Sequence, residues 1–156
     1  MSLIRTVAVL GAGTMGAQIA AHFANAGVPV LLLDLTADTA REGLKRARGL
    51  KPDPLYTPDT ASLIATGGFD RDFGRLDSVD WIVEAVVEQL DVKRALIERI
   101  EAVRRPDSIV TSNTSGIQLS RIADPAVGNG IRLVRLAAVN QRHHRDAGFE
   151  SGKSEG

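Results

Sequence analysis

The sequence predicts an α/β domain with a doubly wound, mostly parallel sheet, and three observations carry that prediction. Val7-Ala8-Val9-Leu10 is a short apolar run ending in glycine, the pattern of a strand buried on both faces. Gly11-Ala12-Gly13-Thr14-Met15-Gly16 then leads into helical spacing, with Met15, Ile19, Phe23 and Ala26 on one side. Strand-like and helix-like stretches alternate from there as far as residue 110. With 156 residues the chain has the length of a single domain, not two.

The glycine turn joins the first strand to the first helix. Gly11 allows the tight turn, Gly13 lets a ligand approach the backbone, and Gly16 lets the helix pack closely on the strand. At Thr14 and Met15 the helix start offers unpaired N–H groups and a positive dipole end, which suit phosphate without any basic side chain. Gly27 closes the helix, and Val28-Pro29-Val30-Leu31-Leu32-Leu33 forms the second strand. Asp34 ends it about 20 residues after the glycines, where a carboxylate holds a ribose 2′-hydroxyl in Rossmann-type sheets. The other reading of Asp34 is a polar residue that merely ends a strand. A carboxylate repels a 2′-phosphate, and Leu35 stands where an arginine would accompany one. The expected cofactor is therefore NAD rather than NADP.

Residues 37–50 have helical composition, with Leu44 and Ala47 on one face and Pro52 and Pro54 as stops. Tyr56-Thr57-Pro58-Asp59 reads as a loop. Asp59 or Thr60 caps a short helix through Ile64, and Gly67-Gly68 ends it. Residues 79–87, with Trp81-Ile82-Val83 and Val86-Val87, read as another buried strand. Residues 91–103 place Val92, Leu96, Ile100 and Val103 on one helical face. A strand at 107–110 follows, and Thr111-Ser112-Asn113-Thr114-Ser115-Gly116 forms a polar loop at its carboxyl end, where ligands bind in such sheets.

Lys plus Arg equals Asp plus Glu, at 19 each, so nothing favours nucleic acid or an anionic membrane as partner. The absence of cysteine excludes disulfides and thiolate chemistry. No apolar stretch reaches membrane-spanning length and Met1-Ser2-Leu3-Ile4-Arg5 has no leader pattern, so a cytoplasmic protein is expected. No metal site is expected: His143 and His144 are adjacent without a carboxylate at coordinating spacing, and His22 reads as a helix-surface residue.

Two further groups could carry chemistry. Glu84 and Glu88 follow a strand at the edge that holds the glycine turn, so one of them can face a ligand. Glu88 can reach a ribose, and Lys93 can place a positive charge near the nicotinamide half. A solvated acid and a surface lysine are the alternative. Asn113 and Ser115 offer an amide and a hydroxyl for a carboxamide or a reacting oxygen, with plain turn formation as the rival reading.

Taken together, Gly11 to Gly16, Asp34, Val83-Glu84-Ala85-Val86-Val87-Glu88 with Lys93, and Ser112-Asn113-Thr114-Ser115 resemble the 3-hydroxyacyl-CoA dehydrogenases of fatty-acid β-oxidation. Lys51-Pro52 and Tyr56-Thr57-Pro58 are similar to the long bacterial members. The resemblance covers about residues 4–123 and is to the amino-terminal NAD domain. It implies oxidation of a (3S)-hydroxyacyl-CoA to the 3-ketoacyl-CoA with hydride passing to NAD. It also implies that Gly11, Gly13, Thr14, Met15, Gly16 and Asp34 hold the ADP part. Glu88 and Lys93 would contact the ribose and nicotinamide region with Asn113 nearby, and Ser115 would bond the reacting oxygen.

The family's Gly-x-His-Phe-Phe-Asn-Pro strand, whose histidine is the general base, has no counterpart after Asp124. Residues 1–124 are therefore expected to form the NAD domain, and 125–156 a divergent segment with a disordered polar tail. His143 and His144 lack the surrounding pattern of the base. The chain reads as truncated before the catalytic histidine and inactive alone, with acyl-CoA a partner only if a carboxyl-terminal domain completes the site. The alternative is an inert NAD-binding module or truncated gene product. Residues 131–139 either fill the place of the lost strand or pack as an irregular apolar segment, and a sheet edge left bare by them would favour self-association.

Overall fold

The computed structural model describes residues 4–122 and a strand at 133–135. Along the chain run β1 (Val7–Leu10), α1 (Thr14–Asn25), β2 (Val30–Asp34), α2 (Ala37–Arg48), β3 (Ile64–Gly68) and β4 (Trp81–Glu84). They are followed by α3 (Leu90–Val103), β5 (Ile109–Ser112), a single helical turn α4 (Leu119–Ile122) and β6 (Leu133–Arg135). Short 3-10 segments, Pro58–Leu63 and Phe73–Ser78, precede β3 and β4. The strands form one sheet in the order β3-β2-β1-β4-β5-β6, with every neighbouring pair parallel. Strand order reverses between β1 and β4, so the expected doubly wound sheet and its switch point are both present.

Side chains alternate along each strand and divide the core in two. Ala8, Leu10, Leu31, Leu33 and Ile82 pack with Leu96, Ile97 and Ile100 of α3. Val7, Val9, Val30, Leu32 and Val83 pack with Ala20, Ala21 and Ala24 of α1 and Ala40 of α2. Because helices cover both faces, the central strands are apolar throughout, which is why they were readable as continuous runs.

Several expectations need correction. The buried face of α1 is Gly16, Ala17, Ala20, Ala21 and Ala24, while Met15 is 51% exposed and Ile19 and Phe23 sit at the margin. α1 lies too close to the sheet for large side chains, so they flank the contact instead of filling it. On α3, Val92 is exposed and Lys93 is buried in line with Leu96, Ile97 and Ile100. Where a short helix through Ile64 was expected, the chain makes a 3-10 segment and then the edge strand β3. β3 has few apolar residues because it lies at the sheet edge, and pairing with β2 outweighs its weak strand propensity. β5 extends through Thr111 and Ser112, so those two residues belong to the sheet and not to the loop.

Of the two outcomes read for 131–139, a strand forms: Val110, Thr111 and Ser112 pair with Leu133, Val134 and Arg135. His143, His144 and the polar tail lie outside the described residues.

At the amino ends of the strands, Asp80 accepts from Arg5 N at 2.8 Å, Thr6 N at 3.0 Å and Arg105 Nη2 at 2.6 Å. The Arg5 amide foremost, then the Arg105 guanidinium, outweigh a smaller effect of burial and hold its carboxyl at about 2 against the usual 3.8. No helix among the described residues is long and apolar enough to cross a membrane.

Candidate functional site

The carboxyl end of β1 opens into a turn built by contact. Gly11 has φ +103°, and a Cβ there would stand 2.6 Å from the Ala85 carbonyl oxygen. A Cβ on Gly16 would come within 1.8 Å of the Gly11 oxygen, so glycine sets the approach of α1 to the turn. Gly13 differs, because a Cβ on it would meet nothing within 4 Å. Packing inside the protein does not require glycine at 13, and the space above it is open to a ligand. Gly13, Thr14 and Met15 are exposed, and the N-cap at Gly13 carries no side-chain bond, so the first-turn N–H groups of α1 face that space. From the other side α2 presses on the turn, since a Cβ on Gly43 would stand 2.1 Å from the Ala12 oxygen.

Asp34, at the end of β2, accepts from Ala12 N and Leu35 N, each at 2.7 Å, one on each carboxylate oxygen. It is thus part of the turn as well as next to it. Each oxygen retains a free lone pair, so the carboxylate can still accept from a diol.

Across the switch point the ends of β4 and β5 hold a buried polar cluster. Glu84, fully buried, accepts from Lys93 Nζ at 2.7 Å, from Val86 N at 2.8 Å and from the Ser112 hydroxyl. Lys93 Nζ also lies 3.4 Å from both the Val86 carbonyl and Glu88 Oε2. The Glu88 side chain, 42% exposed, accepts from the Thr114 hydroxyl and, at 3.2 Å each, from Gly116 N and Ile117 N. Burial works to raise the Glu88 carboxyl, but the bonds from Thr114 and Gly116 and the Lys93 charge outweigh it and hold it below the usual carboxylate range.

The reading of a surface lysine does not describe the structure. Lys93 is no surface residue, and Glu88 ties the loop after β4 to the loop after β5. Lys93 is instead occupied within the protein by two carboxylates and a carbonyl. Asn113 donates its backbone N–H to the Glu84 carbonyl at 2.8 Å. The side chains of Asn113, half-buried, and Ser115, exposed, have no protein hydrogen-bond partner among the described residues and are free to meet a ligand. His22 is exposed near the end of α1.

Sequence reasoning named Glu84, Ser112 and Thr114 without giving them roles of their own, and missed Gly43. One signal was available. Lys93 stands at helical spacing with Leu96, Ile97 and Ile100, and a lysine on an apolar face needs a buried acid. Glu84, ending the apolar run Trp81-Ile82-Val83, is that acid.

The open backbone above Gly13, the unspent acceptors of Asp34 and the free polar side chains beyond the switch point fit a dinucleotide. Comparison with known proteins agrees. Residues 6–136 match the family model described as the NAD-binding domain of 3-hydroxyacyl-CoA dehydrogenase, a stretch that includes β6. A probable 3-hydroxyacyl-CoA dehydrogenase of Deinococcus radiodurans is 43% identical over 123 residues, covering 74% of this chain and 36% of that protein. One from Bacillus subtilis is 40% identical over 142 residues, 78% of this chain and 18% of that protein. The crystal structure of 3-hydroxybutyryl-CoA dehydrogenase from Escherichia coli superposes with a TM-score of 0.70 at 31% identity, covering 86% of this chain and 29% of that one. The chain thus spans about a third or less of the length of these relatives. A glycine turn closed by Asp34 and a matched stretch covering most of the chain lead to one conclusion: the chain belongs to the family of 3-hydroxyacyl-CoA dehydrogenase NAD-binding domains.

Proposed function

We propose that the chain supplies the cofactor half of an enzyme that oxidises a (3S)-hydroxyacyl-CoA to the 3-ketoacyl-CoA in fatty-acid β-oxidation. The carrying observation is the layout around the switch point: the turn and Asp34 lie on one side, and the unpartnered side chains of Asn113 and Ser115 on the other. In this reading Gly11, Gly13, Thr14, Met15 and Gly16 bring backbone N–H groups to the pyrophosphate. Asp34 accepts from the adenosine ribose, and Glu88, held ionised by its donors, orients the loop that carries Asn113. Lys93 acts from below by fixing Glu88. Ser115 donates to the oxygen of the reacting carbon and holds it in place. When bound, NAD supplies the hydride acceptor.

The reaction also needs a base for the hydroxyl proton and a pocket for the acyl-CoA. His22, the one histidine among the described residues, lies on α1 near its far end from the turn. The chain alone is therefore proposed to bind cofactor without turning over, because loss of a general base costs about 10² to 10⁴ in rate and loss of substrate positioning costs more. Acyl-CoA becomes a partner where a further domain completes the site. The test is calorimetric titration of the pure chain with NAD⁺ and NADH, followed by a dehydrogenase assay with 3-hydroxybutyryl-CoA. Binding without NADH formation is the expected result. NADH formation would overturn the inactivity, and failure to bind either form would overturn the cofactor site.

A further inference from the structure

Glu84, Lys93 and Glu88 form one electrostatic unit whose charges do not cancel. A single ammonium, 1% exposed, is shared by two carboxylates at 2.7 and 3.4 Å. The other donors to the two acids are neutral: Val86 N, Gly116 N, Ile117 N and the hydroxyls of Ser112 and Thr114. The unit therefore carries one net negative charge. Glu84 and Lys93 are removed from water and Glu88 is 42% exposed, so solvent and salt screen that charge only in part.

Its position gives the charge a target. The unit sits at the carboxyl ends of β4 and β5, across the β1–α1 turn from Asp34. A dinucleotide with its adenosine ribose at Asp34 and its pyrophosphate at the turn crosses the switch point and brings its nicotinamide half over β4 and β5. That half is the part that changes charge. Its ring is cationic when oxidised and neutral when reduced.

We propose that Glu84 determines specificity for the oxidation state of the cofactor: by over-compensating Lys93 it gives the β4–β5 side of the site a net negative charge that favours oxidised over reduced nicotinamide. This rests on the NAD-site reading above. Without Glu84, Lys93 and Glu88 would form a neutral pair. Glu84 touches no ligand, being fully buried, and acts through its field and through the ammonium it fixes.

The test is the ratio of the dissociation constants of NADH and NAD⁺ for the 156-residue chain, measured by calorimetry at fixed ionic strength beside thermal unfolding. Glu84→Gln keeps the side-chain shape and neutralises the unit, so the ratio should fall about tenfold. That equals a rise of about 30 mV in the potential of the bound two-electron couple. Glu84→Gln/Lys93→Met restores one net negative charge, and the ratio should return to within about threefold of wild type. Glu88→Gln, at an exposed position, should lower the ratio in the same direction, and it decides the matter if the Glu84 variants do not fold. An unchanged ratio in Glu84→Gln or Glu88→Gln, with both affinities falling together, overturns the proposal and leaves Glu84 a structural anchor. A double variant that stays at the Glu84→Gln ratio overturns it too, because placement and not charge would then be responsible. A wild-type chain that binds neither form overturns the NAD-site reading itself, which is a distinct result.

Discussion

Replacing Lys93 with methionine exposes the energetics of the buried pair. The side chain is 1% exposed and its ammonium meets Glu84 at 2.7 Å, so removing it leaves a carboxylate with no accessible surface and no cation. Val86 N and the Ser112 hydroxyl still donate to Glu84, but two neutral donors do not replace the lost charge. Breaking one side of a buried pair costs about 3–5 kcal/mol. Domains of this size hold about 5–15 kcal/mol in all, so the loss is a large fraction of the total. Glu84→Gln/Lys93→Met should recover most of it and lie within about 1 kcal/mol of wild type, because paired removal leaves no orphan charge. Urea unfolding reports this directly through the fluorescence of Trp81, the single tryptophan. Trp81 bonds Thr111 at 2.9 Å and packs edge-on against Phe23 at 5.1 Å, so its signal follows the joining of β4, β5 and α1. A Lys93→Met variant as stable as wild type would refute the reasoning. A double variant as unstable as the single one would refute it equally.

Three other outcomes follow from the same geometry. Asp34→Ala removes hydrogen bonds to a charged acceptor worth about 1.5–3 kcal/mol, so NAD affinity should fall about tenfold or more, and unchanged affinity by calorimetry would place the ribose elsewhere. Gly43→Ala puts a Cβ 2.1 Å from the Ala12 oxygen and pushes α2 off the turn, with an expected loss of about 1–3 kcal/mol by denaturant unfolding and weaker cofactor binding. For Asp80, a folded value of about 2 below the usual 3.8 means that the unfolded chain takes up the proton first. Its contribution, about 1–2 kcal/mol after allowance for solvent, is complete above about pH 4 and is lost as pH falls towards 2. Asp80→Asn should flatten acid unfolding across that window, and an unchanged profile by circular dichroism would show that the clamp is not what fails.

What could be read from the sequence and what could not separate along a physical line. β1, β2 and β4 were readable because a strand covered on both faces must be apolar throughout, and the glycine turn because its spacing follows from contact. β3 was missed because an edge strand such as Ile64-Ala65-Thr66-Gly67-Gly68 takes its form from pairing with β2, not from its own composition. The face of α1 was misread for a related reason: close approach to the sheet selects alanine, so the large residues mark the margin of the contact. In the site, Asp34 and the glycines were in plain view. The Glu84–Lys93 pair was less plain, because its members are nine residues apart on different elements and only the apolar helix face around Lys93 marks it as buried.

The bond from Ala12 N to Asp34 also bears on how this domain could change its cofactor. The carboxylate assigned to the ribose is also the brace that closes the phosphate turn, so recognition and scaffold share one side chain. A mutational path towards a 2′-phosphorylated cofactor cannot begin by simply deleting the acid, because the turn would lose its brace before a new ligand gained a partner. The accessible path runs through a residue that still accepts from Ala12 without charge, such as asparagine or serine, followed by a cation at exposed Leu35. The order of those two steps is therefore constrained by a single hydrogen bond.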